Sequence, residues 1–85
     1  MHADLLSRPV NFAVVQLPER SYPGVVVQGD TLHSLQKQVE LMGRLLETKE
    51  LEGLADEIED LNTRLSEALA HYEYICSERG ISLPY

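Results

Sequence analysis

The residues most able to do chemistry in this chain are Gly29-Asp30-Thr31, the pair His71 and Cys76, and the carboxylates that crowd residues 47 to 60. Gly-Asp-Thr after a run of valines has the makings of a phosphate or metal floor. A phosphate-binding loop, however, needs Gly-Lys-Ser/Thr behind its glycines, and a dinucleotide fingerprint needs three spaced glycines. Neither follows Gly29, and no lysine lies within six residues of it. Asp30 stands where an extended run gives way to a helical period, so its expected work is to cap the helix, with Gly29 freeing the corner.

His71 and Cys76 are five residues apart, which puts them on different sides of a helix and outside metal-ligand spacing. Cys76 has no activating base nearby in sequence and is expected to pack as a small hydrophobe. Asp56 with Asp60 could form a carboxylate pair, but both fall on the polar side of their helix, away from any pocket. No nucleophile with its base, no metal cluster and no phosphate loop emerges. The expectation is a protein that is not an enzyme and has no cofactor and no metal.

Charge directs attention elsewhere. The chain carries a net −7, and the excess is local: residues 47–60 hold Glu47, Glu50, Glu52, Asp56, Glu57, Glu59 and Asp60 against Lys49 alone. Direct nucleic-acid binding needs a basic surface, which is missing. A localised acidic patch suits a basic protein partner, such as a toxin or nuclease. Tyr74 points away from the apolar seam of its helix among Asp60, Glu67 and Glu78, a mixture typical of protein-binding surfaces. Arg20 and Tyr22, in a loop with two prolines and a glycine, are anchor-type residues of the same kind. The candidate partner-binding set is therefore Arg20, Tyr22, Asp56, Glu59, Asp60, Glu67 and Tyr74.

The elements that must position these residues follow from the hydrophobic pattern. Eighty-five residues, 44% hydrophobic and 25% charged, make one small domain of marginal core size. "VNFAVVQL" and "GVVVQ" are β-rich and flank "PERSYPG", predicting a hairpin over 10–28. Phe12 and Val14 would share one face, and Ala13, Val15 and Leu17 the other, so the hairpin expects cover on both sides.

From residue 30 the period becomes helical. Leu32, Leu35, Val39, Met42 and Leu46 recur at three and four, predicting a helix over 30–47. Gly43 sits at the edge of that stripe, where it would let a neighbouring backbone come close. Leu51, Leu54, Ile58, Leu61, Leu65, Ala68, Tyr72, Ile75 and Arg79 form a heptad seam, predicting a helix over 51–79. Gly80 would end it, leaving an extended tail over 80–85 whose last five residues, "ISLPY", are kept out of helix by Pro84.

The two stripes differ in phase by about 100°, with the jump at 47–50. One continuous helix would run about 73 Å and leave its seam bare unless it paired as a coiled coil. An antiparallel helical hairpin turning near "ETKE" is preferred. The expected architecture is α+β: a β-hairpin followed by two long antiparallel helices (ββαα), likewise expected to form a homo-oligomer. The lone Cys76 and the want of a signal-like or membrane-length apolar run place it in the cytoplasm, off the membrane.

"PERSYPGVVVQGDTLHSLQKQVELM" resembles the central part of HicB-type antitoxins, through Pro18, Pro23, Gly24, Gln28, Gly29, Asp30, Thr31 and Leu32. That resemblance implies a non-catalytic, partial RNase H-like fold that neutralises a small basic RNase. The chain departs from the family in having little room for further strands and a long second helix where a strand belongs. It is also similar to small uncharacterised bacterial proteins that share "PGVVVQGD" and an "ISLPY"-like end. Two functions compete: an antitoxin- or immunity-like protein-binding module, and a structural homo-oligomerising helical module.

Overall fold

A computed structural model describes residues 2–6 and 12–85 of the chain. Its elements are β1 (Asp4–Leu5), β2 (Ala13–Gln16), β3 (Gly24–Val26), α1 (Gly29–Glu47) and α2 (Leu51–Glu78). The class is α+β with a helical hairpin, as the pattern predicts, but the β-hairpin is part of a three-stranded antiparallel sheet of order β1-β2-β3. β1 is only two residues long and pairs Asp4 with Gln16 and Leu5 with Val15. Of the expected hairpin over 10–28, residues 10 and 11 lie outside the described residues. Phe12 has φ near +60°, so β2 starts at Ala13.

The chain forms two compact units. The first comprises the sheet, the β2–β3 loop, and residues 68–85. Its core is Val14, Tyr72 and Cys76, against which Leu6, Ile75, Ile81 and Leu83 pack. Ala13 and Val15, on the opposite side of β2 from Val14, are also buried, so both sides of the central strand are covered. Cys76 is a buried free thiol inside this core, in agreement with its reading as a packing residue.

The end of α2 explains how the tail reaches that core. Gly80 has φ +66°, its N–H donates to the Ser77 carbonyl, and the Ile81 N–H donates to the Cys76 carbonyl at 2.9 Å. This is the paired 5→2 and 6→1 pattern of a Schellman cap, with Ile81 turned onto the core beside Cys76. Arg79, the last member of the expected seam, falls past the helix end and donates to the Leu6 carbonyl at 2.9 Å. Tyr85 then fastens the tail by donating to Glu73 Oε2 at 2.7 Å.

The second unit, residues 29–67, is the helical hairpin. The "ETKE" turn closes with the Lys49 N–H on the Leu46 carbonyl and the Glu50 N–H on the Leu45 carbonyl. Lys49 occupies the left-handed position at φ +60°, where glycine is the usual choice. At the other end α1 begins at Gly29, one residue before the expected start. Asp30 therefore lies inside the first turn, where its carboxylate accepts from the Thr31 N–H at 2.8 Å and meets the positive end of the helix dipole.

The seams split in two. Leu35, Leu41, Met42 and Leu45 of α1 are half-buried, as are Leu54 and Leu61 of α2. Leu32, Val39 and Leu46 of α1, with Leu51, Ile58 and Leu65 of α2, remain 49–62% exposed. Gly43 has nothing within 4 Å of the place its Cβ would take, so the close neighbour expected there is not within this chain. The close approach occurs at Gly53, where an added Cβ would meet Leu45 Cδ2 at 3.4 Å.

Candidate functional site

Gln38 organises the polar side of the helical hairpin. It falls on the hairpin-facing line of α1 between Leu35 and Met42, and it is buried to 8% exposure. A buried amide must find partners or forfeit its hydration, and Gln38 finds them all on α2. Its Nε2 donates to Asp60 Oδ2 at 2.9 Å, to Glu57 Oε2 at 3.1 Å and to the Glu57 carbonyl at 3.2 Å. Its Oε1 accepts from Arg64 Nη1 at 2.9 Å. The orientation of the amide is thereby set: donors face carboxylates and the acceptor faces a guanidinium. Around it lies an open groove of about 390 Å³, lined by Ser34, Lys37, Leu41 and Arg44 of α1 and by Glu57, Asp60 and Arg64 of α2. On the α1 side, Glu40 accepts from Gln36 and Lys37, and these bonds hold its carboxyl below the usual carboxylate range.

This node changes the status of one candidate. Asp60 remains exposed, but its carboxylate is committed to Gln38, and Arg64 also turns to Gln38. Asp56, Glu59 and Glu67 are exposed on the outer side of α2, and among the described residues their side chains make no hydrogen bond or ion pair. The hub itself escapes a charge-based reading because a glutamine carries no charge. The signal that could have found it is a polar residue three after Leu35, three before Leu41 and four before Met42, inside an apolar stripe.

The remaining candidates belong to the other unit. Tyr74 is 60% exposed, and its hydroxyl donates to Glu78 Oε1 at 2.6 Å, a bond that raises its pKa. Arg20 and Tyr22 line a shallow cleft of about 410 Å³ with Glu19 and Ser21. The loop that presents them is well braced. The Arg20 N–H closes a turn on the Leu17 carbonyl with Glu19 at φ +67°, and Gln16 Nε2 donates to the carbonyls of Leu17 and Arg20. Pro18 at the second position and a positive φ at the third identify a type II turn. The seven candidates thus divide: Asp56, Glu59, Asp60 and Glu67 on the helical hairpin, and Arg20, Tyr22 and Tyr74 on the sheet unit.

The described residues contain no group of three or more His, Cys, Asp or Glu side chains placed to hold a metal ion. His71 Nε2 is buried without a hydrogen-bond partner among them. No described helix is long and apolar enough to cross a membrane. The arrangement offers hydrogen bonding and charge on rigid helices, together with a bare apolar line on each helix of the hairpin.

Compared with known families, the chain matches the model of a family of unknown function, DUF6959, over residues 1–85, and it belongs to that family. No curated protein and no solved structure shows significant similarity to it.

Proposed function

We propose that this member of DUF6959 is a non-catalytic protein-binding module, antitoxin- or immunity-like, that neutralises a basic protein through the outer acidic side of α2 and the Arg20–Tyr22 loop. The observation that carries the reading is the uncompensated charge on α2. Asp56, Glu59 and Glu67 are exposed, with no partner among the described residues, in a helix whose first turns belong to the net −6 segment 47–60. Like charges three and four residues apart destabilise an isolated helix, and a basic partner would turn that repulsion into attraction and faster encounter. The resemblance of residues 18–42 to HicB-type antitoxins supports the same direction. The buried free thiol of Cys76 fits a reducing compartment such as the cytoplasm.

The test is affinity capture from the source cells, comparing the wild type with an Asp56→Lys/Glu59→Lys/Glu67→Lys variant of equal helicity. The expected result is one basic protein retained by the wild type, released steeply as salt rises, and absent from the variant. Retention of the same proteins by both would refute the acidic surface as the binding site. The second reading, a structural module that binds its own kind, is favoured by the bare apolar lines on α1 and α2.

A further inference from the structure

We propose that the uncharged apolar face of the α1–α2 hairpin docks on the same face of a second copy, closing an antiparallel four-helix bundle. The inference is independent of the acidic-surface reading, because it uses a different side of the same helices.

Five observations converge on this face. First, no apolar side chain of the hairpin unit is fully buried; its two buried residues are Thr31 and Gln38. Two helices alone cannot enclose a core, so the usual solution is to pair hairpins.

Second, the exposed apolar residues are not scattered. Leu32, Val39 and Leu46 recur every seven residues on α1, and Leu51, Ile58 and Leu65 every seven on α2. Third, the two lines lie on one side of the hairpin. At about 100° per residue, each line sits further round its helix, in the same sense, from the half-buried apolar line that faces the other helix, by roughly 95° on α1 and roughly 50° on α2. In an antiparallel pair the same rotational sense brings both lines to the same side. The Gln38 groove occupies the opposite side.

Fourth, the face is uncharged although the chain is strongly acidic. The positions interleaved with the six apolar residues are Gln36 and Gly43 on α1 and Ala55 and Asn62 on α2. Even within the acid-rich segment 47–60, Leu51, Ala55 and Ile58 keep the line clear of charge. A chain of net −7 can meet a copy of itself closely only where neither brings a carboxylate, whereas a basic partner would gain nothing from this side. Fifth, Gly43 is a helix-interior glycine with open space above it. It costs about 1 kcal/mol of helix propensity relative to alanine and gives a partner backbone room to approach.

The area is sufficient. The six side chains expose on the order of 600 Å² per copy, and the uncharged positions between them bring the face near the roughly 800 Å² per partner of a stable interface. A twofold arrangement satisfies both copies with one patch.

The experiment measures the mass of the full chain at tens of micromolar by light scattering, with circular dichroism in parallel. Twice the 9.6 kDa chain mass is expected for the wild type. Val39→Glu and Ile58→Glu should each give the single-chain mass, while Asp56→Lys/Glu59→Lys should leave the dimer intact. Should the glutamate variants melt, a Cys76→Ser background carrying Ile58→Cys keeps the question open to measurement. A bismaleimide should join two such chains efficiently, and should not join Glu52→Cys chains, whose thiol lies on the acidic side. A single-chain mass for the wild type, a mass unmoved by Ile58→Glu, or equal crosslinking at 52 and 58 overturns the proposal. So does co-sedimentation of a monomeric wild type with neutral phospholipid vesicles, which would assign the face to lipid.

Discussion

The Tyr72 hydroxyl donates to the Pro23 carbonyl at 3.1 Å, joining α2 to the β2–β3 loop across 49 residues of sequence. Tyr72 is also a member of the core with Val14 and Cys76, so one side chain both fills the core and fixes the loop that carries Arg20 and Tyr22. Burial, with Cys76 and Tyr22 adding to it, raises the pKa of its phenol. Tyr72→Phe keeps the ring and removes the donor. A buried hydrogen bond contributes about 1 kcal/mol, which in a domain of this size is about 4–8 °C in Tm. Thermal unfolding should show that loss, with secondary structure unchanged at low temperature.

The Tyr85–Glu73 bond predicts a late phenol titration. Hydrogen bonding to the Glu73 carboxylate favours the neutral phenol and pushes the pKa of Tyr85 up to about 12 from its ordinary 10. A group whose folded pKa is raised stabilises the fold fully below its unfolded value and loses that contribution as pH climbs through the folded one. The tail contact should therefore hold up to about pH 10 and fade between 10 and 12. Ultraviolet titration of the four tyrosines should contain a component near 12 that disappears in Tyr85→Phe, with ionisation shifted down in Glu73→Gln.

Lys49 predicts a stabilising substitution. Its φ of +60° disfavours any residue with a Cβ, and both cap bonds of the turn depend on that conformation. Lys49→Gly should raise stability by about 0.5–1 kcal/mol, while the β-branched Lys49→Val should lower it. Urea unfolding with unchanged slope measures both; a loss of stability in the glycine variant would show that the lysine side chain matters more than the backbone.

How much of this was legible in the sequence differs by element, for physical reasons. The helical hairpin was, because a phase jump at 47–50 between two regular stripes requires a turn, and Gly80 announced its own cap. β1 was not: two residues, one of them Asp4, carry no period, and their strand character comes only from pairing with Gln16 and Val15. The seam showed that eight positions of α2 lie near one side, but an apolar period cannot say which half its own chain covers. Leu54 and Leu61 face α1, while Leu51, Ile58 and Leu65 do not. The acidic candidates were found as a group by charge, yet only the geometry separates Asp60, tied to Gln38, from Asp56, Glu59 and Glu67.

That separation predicts opposite effects for two neighbouring carboxylates. Asp60→Asn keeps an acceptor of similar shape but removes the charge that strengthens the bond from Gln38. A hydrogen bond to a charged group contributes about 1.5–3 kcal/mol, so a loss of about 1 kcal/mol is expected, softened by the exposure of Asp60. Glu59→Lys removes no bond among the described residues and relieves repulsion from Glu52, Asp56 and Asp60 on the same helix. It should leave the isolated protein unchanged or a few tenths of a kcal/mol more stable, and the gain should vanish in high salt as screening removes the repulsion. Unfolding curves at low and high ionic strength distinguish the two. A Glu59→Lys variant that is destabilised at low salt would mean that the outer acids are structural and are not held in readiness for a basic partner.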